Sequence, residues 1–151
     1  MGVDVMRHQY PQFVEPAAGY RPMDVVRLKD GPIRVYRPGE TGPLLTGHEL
    51  ILVSSSFAGE LKRLAADSAT FLETHVTRPS DGKQWSYVEV VPKVEISAAD
   101  IEVVDASGYR LWHFGRSHLF VSPAIMDALQ THAWASELQF SPGFSRFAGA
   151  A

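Results

Sequence analysis

The amino-acid sequence predicts an α+β fold with a mixed, mainly antiparallel sheet and two main helices packed on one face. Three observations support this prediction. Short β-prone runs alternate with turn signals rich in Gly, Pro and Asp, and two of these runs lead through Ser residues into amphipathic helical segments. The chain of 151 residues is also long enough to bury one hydrophobic core, and its 45% apolar content is that of a globular protein.

The first part of the chain is predicted to be an extended arm. Residues 1–24 contain Pro11, Pro16 and Pro22 among scattered aromatic residues, and they show neither strand nor helix periodicity. Residues 25–151 are predicted to form a single α+β domain.

This domain begins with a predicted hairpin and a loop. The β-prone residues 25–28 and 33–36 flank a turn signal, Lys-Asp-Gly-Pro. Residues 37–43 are rich in Pro and Gly and therefore predict a loop. The glycines at 39, 42 and 47 lack the Gly-Lys-Ser/Thr ending of a phosphate loop, so this stretch is also interpreted as loop.

A strand, a helix and a second hairpin are predicted next. Residues 50–53 form an apolar run, and the three serines that follow offer N-caps to a helix whose apolar residues Phe57 and Leu61 share one face. Residues 71–77 and 85–91 are β-prone and flank a turn signal, so they are expected to pair antiparallel.

The strand-helix-strand pattern then returns. Residues 119–121 lead into Ser122 as N-cap and Pro123 at the first helical position, and a helix reaching Trp134 is followed by a strand at 138–140. The unit therefore occurs twice, although the general rules for packing a helix on a sheet could produce the same likeness without a repeat.

Two further strands are predicted between these units, at residues 101–104 and 109–114. The core is expected to contain the apolar residues that line the strands and helices of both units. These are Leu52, Phe57, Leu61, Val121, Ile125 and Leu129.

Composition and charge argue against several classes of function. The formal net charge of −3, from 14 basic and 17 acidic residues, provides no basic field for nucleic acid. The absence of Cys excludes disulfides, thiolate metal sites and cysteine nucleophiles, and it suits a reducing compartment. The sequence shows no secretory signal and no apolar run of about 18 residues, so we expect a cytoplasmic protein that does not engage a membrane.

No catalytic, cofactor-binding or metal site is predicted. Ser117 and His118 are adjacent, so in a strand their side chains would point to opposite faces, and no two His residues have the spacing of a zinc site on a helix. A small hydrolase that uses His113, Ser117 or His118 with a distant carboxylate is the alternative hypothesis.

A partner-binding surface is predicted on the second hairpin and the acidic segment that follows it. Trp85, Tyr87 and Glu89 share one face of a strand, and Val88 and Val90 share the other. Because the valines suit a core better, the aromatic face is expected to look outward or to lie under the arm, although these aromatics could instead simply cover the sheet. The predicted partner-binding residues are Glu73, Asp81, Trp85, Tyr87, Glu89, Asp100 and Glu102.

The order of elements resembles a known family. The aromatic strand Leu111-Trp112-His113-Phe114, the apolar strand Leu119-Phe120-Val121-Ser122 and the helix Ile125-Met126-Asp127-Ala128-Leu129 are its most specific part. Residues 44–144 resemble the polymorphic-toxin immunity family numbered eleven, which is similar to the C-terminal part of the double-CXXCG-motif proteins. Two features depart from the pattern: Ala135-Ser136 stands where a Gly is usual, and the chain has no Cys for a zinc-binding module.

The resemblance implies a bacterial, non-enzymatic immunity protein with no catalytic residues. Such a protein would bind and neutralise a cognate toxin delivered by a contact-dependent or type VI secretion system. Inhibition could occur by plugging the toxin's active site or by holding the toxin in an inactive state.

Overall fold

The computed structural model describes residues 9–18, 24–29 and 31–142, which form an α+β fold with two α-helices and mostly antiparallel sheets. The predicted fold class is therefore confirmed. The strands are β1 Gln12–Pro16, β2 Val25–Arg27, β3 Ile33–Val35, β4 Leu44–Gly47, β5 Leu50–Val53, β6 Ala69–Thr77, β7 Gln84–Pro92, β8 Leu111–Phe114, β9 His118–Val121 and β10 Leu138–Pro142. The helices are α1 Ser55–Ala65 and α2 Pro123–Leu129, with 3-10 turns at Ala66–Ser68 and Ala133–Glu137.

The described strands form two sheets where the sequence predicted one. The larger sheet has the order β2-β3-β6-β7-β5-β4, and its neighbours are antiparallel except for the β3–β6 pair. The predicted hairpins β2–β3 and β6–β7 are confirmed. The smaller sheet has the order β10-β1-β9-β8 and is antiparallel throughout.

The larger sheet curls until its edge strands β2 and β4 lie against each other. The close approach requires a glycine, because a Cβ atom at Gly47 would lie 2.4 Å from the carbonyl oxygen of Val25. The curl encloses an apolar inner core, made of Val25, Ile33, Val35, Leu45, Leu50, Leu52, Val76 and Tyr87. Gly47 is the last residue of strand β4, whereas the sequence interpretation placed it in a loop.

An outer core joins the two sheets through both helices. All six residues predicted for the core are buried. Five of them lie in the outer core, and Leu52 lies in the inner one. Ser54 caps α1 as predicted, because its Oγ accepts the N–H of Phe57 at 3.3 Å. Ser122 holds the N-cap position of α2, but its Oγ accepts the N–H of Arg110 at 3.0 Å instead.

Each helix connects two parallel strands that have one antiparallel strand between them. Helix α1 joins β5 to β6 around β7, and α2 joins β9 to β10 around β1. The two connections lie in different sheets and their helices have 11 and 7 residues, so the repeated unit stays a prediction. Trp134 was expected on the second helix but lies in a 3-10 turn, where its ring stacks on Phe57 at 5.1 Å.

The segment predicted as an extended arm contributes a strand to the smaller sheet. Strand β1 lies between β9 and β10, and both Phe13 and Val14 are buried. Two of the three prolines that suggested an arm stand at the strand's ends, Pro11 just before it and Pro16 as its last residue. Proline is tolerated there because few ladder hydrogen bonds are lost. Residues 1–8 and 19–23 of the predicted arm lie outside the described residues.

Residues 101–104 do not form the predicted strand. They continue a turn in which the N–H groups of Val103 and Val104 both donate to the carbonyl oxygen of Asp100, at 3.0 and 2.8 Å. Ile101 is buried beneath the turn while its neighbour Glu102 is exposed. The alternation that predicted a strand therefore reflects the two sides of a turn. Among the described residues, no helix has the length and apolar character that crossing a bilayer would require.

The curl generates a prediction with a matched control. Gly47→Ala is expected to lower the free energy of unfolding by about 1–3 kcal/mol, because the group that the new methyl meets is backbone and cannot rotate away. Gly59→Ala, on the open surface of α1, should raise the free energy by about 0.5–1 kcal/mol. Urea unfolding of both variants tests the pair, and equal effects would contradict the proposed close approach.

Candidate functional site

The predicted aromatic anchor of the β6–β7 hairpin is largely buried. Tyr87 is only 4% exposed, and its ring belongs to the inner core. Its hydroxyl donates to the carbonyl oxygen of Gly42 at 2.7 Å, and burial raises the pKa of this phenol. Val88 and Val90 are buried on the opposite face, as expected. The expectation that Tyr87 faces outward is wrong, because the curled sheet buries both faces of β7.

Trp85 is half-buried and covered by two cations. The guanidinium carbon of Arg78 lies 5.0 Å from the ring centroid, and the Nζ of Lys83 lies 5.3 Å from it. Cation–π contacts of this kind stabilise a tryptophan in place and occupy its surface. Trp85 therefore acts as part of the hairpin's own structure and is poorly placed as a free anchor for a partner.

Arg78 is a buried cation that sequence reasoning missed. It donates to the carbonyl oxygens of Arg37 and Gly39, at 3.2 and 2.6 Å, and to the carboxylate of Asp81 at 2.7 Å. These bonds tie the loop before β4 to the β6–β7 turn. The sequence signal at this point, Arg-Pro-Ser-Asp-Gly, indicates only a turn, because nothing in it shows which loop the arginine will reach.

Asp81 is a structural carboxylate. Its bond with Arg78, and secondly the backbone N–H of Lys83, lower its pKa to about 2. The carboxylate is therefore committed to the turn, although it stands at the surface as predicted. Glu89 is similarly engaged, since its carboxylate is largely buried and forms a 2.5 Å ion pair with Arg27 across the curl.

Glu73, Asp100 and Glu102 are exposed, but they lie on different elements. Glu73 is on β6, whereas the other two belong to residues 97–110, which we call the acidic turn. Asp100 accepts the Oγ–H of Ser97 at 2.8 Å and so closes the start of this turn. The structure thus separates the predicted partner-binding residues into a hairpin group and a turn group.

The acidic turn is fixed from inside and exposed at its tip. Ile101 is fully buried in a third core with Ile96 and Trp112. Asp105 accepts both the N–H and the Oγ–H of Ser107, and these bonds lower the pKa of its carboxyl group. Val103, by contrast, is 78% exposed. The fixed backbone of the turn therefore keeps the apolar side chain of Val103 exposed to solvent.

The residues of the hydrolase hypothesis are directed to different places. The Nδ1 of His113 accepts the N–H of Arg116 at 3.2 Å, and burial lowers the pKa of this imidazole. The Oγ of Ser117 accepts the N–H of Glu49 at 2.9 Å. His118 stands opposite Phe114 in the β8–β9 ladder, with its ring against Phe13 at 5.6 Å. Because His113 immediately precedes Phe114, its side chain points to the other face.

A cleft of about 560 Å³ lies between β7 and the β8–β9 turn. Its rim carries Glu49 and Arg116, both at positive φ (53° and 63°) and paired at 4.0 Å. The cleft is lined by Glu49, Ile51, Thr70, Glu89, Val90, Val91, Pro92, Lys93, His113 and Arg116. It thus contains one imidazole among charges of both signs. No three side chains of metal-ligating type come together in the part of the chain that the structure describes.

Comparisons with protein-family models, with curated proteins and with solved structures found no match to this chain. The resemblance to the immunity family therefore stays a prediction that rests on the residues quoted for it.

The burial of the Tyr87 hydroxyl group can be tested by removing its oxygen atom. Tyr87→Phe should lower the free energy of unfolding by about 1 kcal/mol, since Gly42 loses its hydrogen-bond donor. Tyr109→Phe is the control, because Tyr109 is 51% exposed and the same change there should have little effect. Chemical denaturation of both variants distinguishes a buried Tyr87 from an exposed one.

The Asp81 carboxyl group should titrate unusually low. A carboxyl whose folded pKa is depressed stabilises the fold above its unfolded pKa of about 3.8, and this stability is lost as the pH falls toward about 2. Asp81→Asn should therefore remove part of the acid-induced loss of stability between these values. NMR titration of Asp81 in Arg78→Lys provides the control. Losing the guanidinium fork should move the carboxyl midpoint upward, and an unmoved midpoint would exclude Arg78 as the cause.

Proposed function

We propose that this protein is a cytoplasmic, non-enzymatic immunity protein that binds and neutralises a cognate secreted bacterial toxin, and that the acidic turn is its contact surface. The toxin assignment comes from the resemblance of residues 44–144 to the immunity family. The single observation that supports the surface is the exposure of Val103 on a turn that is fixed from within.

Exposed apolar side chains lie close together in sequence within this turn and just before it. Six large apolar residues are exposed in the described part of the chain, and three of them, Val94, Val103 and Tyr109, fall within 16 consecutive residues. Contiguous apolar surface rimmed by polar groups is typical of a protein-binding site. Aromatic anchors such as a tyrosine often contribute a large part of the binding energy.

The backbone of the turn favours binding because it is already ordered. The carboxylate of Asp100 and the carbonyl of the same residue accept four hydrogen bonds, from Ser97, Val103 and Val104. A surface that is rigid before binding loses little conformational entropy when the partner arrives. The turn can therefore present Val103 without first having to fold.

The charge of the turn indicates the chemistry of the partner. Asp100, Glu102 and Asp105 lie within five residues of the exposed valine in the sequence, and Arg110 forms an ion pair with Asp105 at 3.3 Å. An acidic rim of this kind accelerates association with a basic surface and disfavours acidic ones. The turn therefore suits a basic patch on the toxin. Either route of inhibition, active-site occlusion or an inactive toxin state, is compatible with it.

The hydrolase alternative gains no support from the geometry. His113 and His118 lie on opposite faces of one hairpin, and the Ser117 hydroxyl accepts a backbone N–H from the β4–β5 turn. A nucleophile and base that act together need side chains within hydrogen-bond reach.

The proposal is tested with the toxin encoded next to this gene. Val103→Asp should weaken the complex by about thirtyfold or more, because it places a charge at the centre of the contact. Val91→Asp is the matched control at an exposed valine of strand β7, outside the acidic turn, and should bind normally. Isothermal titration gives both affinities, and protection of toxin-producing cells gives the biological result. Equal affinity of the two variants would exclude the acidic turn, and the absence of any toxin gene beside this one would argue against immunity.

The salt dependence of association tests the charge argument separately. Glu102→Lys should slow association with the toxin and reduce the decrease in rate on adding salt, while dissociation changes little. Stopped-flow or surface plasmon resonance measurements at two ionic strengths give these rates. An unchanged association rate would mean that the acidic rim does not face the toxin.

A further inference from the structure

Among the described residues, the outer edge of strand β6 is largely unpaired. On that side β3 contacts only Val76 and Thr77, whereas β7 pairs with all nine residues on the other side. Within the described residues, no strand therefore covers the edge of residues 69–75. Edges of this length are uncommon in monomeric proteins, because they offer free N–H and C=O groups to any other strand.

The phase of the β6–β7 ladder shows which groups are free. The Lys93 N–H donates to Ser68 O at 2.9 Å at one end, and the Arg78 N–H donates to Lys83 O at 2.8 Å at the other. Antiparallel ladders alternate, so Thr70, Leu72 and Thr74 exchange their backbone bonds with β7. Phe71 and Glu73 must consequently direct their N–H and C=O groups to the open edge.

We propose that this edge pairs antiparallel with the same edge of a second copy of the chain, about a twofold axis at Leu72. This inference is independent of the toxin-binding proposal, which concerns a different surface. In this register Phe71 exchanges two backbone hydrogen bonds with Glu73 of the partner subunit. The symmetric pair adds two more, so all four outward groups of Phe71 and Glu73 are satisfied.

The side chains favour this register. Leu72 is 49% exposed, and the axis places it directly against the partner's Leu72, at a non-hydrogen-bonded position where side chains come closest. Thr70 stands opposite the partner's Thr74, and such pairs are favourable across strands.

Charge complementarity selects the second copy as the occupant. The Nζ of Lys62 lies over the Phe71 ring at 5.6 Å from its centroid. Because Phe71 faces the partner's Glu73, the ammonium group comes within reach of that carboxylate, and the twofold axis creates two such ion pairs. A register shifted to centre on Glu73 would instead place two carboxylates opposite each other, which is unfavourable.

The test is a charge swap on the full-length chain. Sedimentation equilibrium should show a reversible dimer. Glu73→Lys and Lys62→Glu should each raise the dissociation constant by about tenfold or more, since each variant replaces two attractive pairs with two repulsive ones. The double variant Lys62→Glu/Glu73→Lys should restore the dimer. Glu102→Lys, on the acidic turn, is the matched charge reversal that should leave the dimer intact.

A backbone variant keeps the test independent of charge. Glu73→Pro removes an N–H that faces the open edge and none that faces β7, so it should abolish the dimer while the circular dichroism spectrum is retained. A wild-type protein that is monomeric at its highest soluble concentration would overturn the proposal. So would a dimer insensitive to the charge swap and to Glu73→Pro, and so would a monomer whose edge binds only an extended peptide of another protein.

Discussion

The β4–β5 hairpin is buried on both faces, and this two-sided burial determines how the rest of the chain is arranged. Leu44, Ile51 and Val53 face the outer core, while Leu45, Leu50 and Leu52 face the inner one. A flat sheet would leave one of these apolar faces exposed to water, which is energetically unfavourable. The sheet avoids this by curling around the inner core, and the glycine at the closing point permits the two edges to touch. The β4–β5 hairpin therefore packs against the inner core on one face and against the outer core on the other.

Both proposals place function on surfaces of the described residues. The polar groups that resemble catalytic parts are held by backbone bonds, as with the Ser117 hydroxyl and the Nδ1 of His113. The two proposed surfaces are the tip of the acidic turn and the open edge of β6. They differ in chemistry, since one presents an apolar side chain within acidic charge and the other presents backbone groups. The two proposals therefore place the toxin and the second copy of the chain on different surfaces.

Local patterns predicted much of the fold but little of the site. Strand β5, the Ser54 cap and the β6–β7 hairpin each depend on neighbours in sequence, and each is confirmed. The curl depends on contact between Gly47 and Val25, which no local pattern encodes, so the interpretation of Tyr87 as exposed was wrong. The turn at 101–104 could have been recognised, because Ser97-x-x-Asp100 is the pattern of a self-capping turn. The role of Arg78 could not, since two of its acceptors, the carbonyl oxygens of Arg37 and Gly39, lie 41 and 39 residues away in sequence.

The position of β1 has a consequence for how the chain reaches this structure. Gln12 pairs with Val121 on one side and with Pro142 on the other, so among the described strands the first in sequence pairs with the last. Loops this long are entropically costly to close, and topologies rich in such contacts fold slowly. The β4–β7 region with α1 can assemble earlier from contacts that are closer in sequence. On the ribosome, the β1 segment would remain without its strand partners until residues 119–142 have emerged, and during that interval it would be exposed to chaperones and proteases.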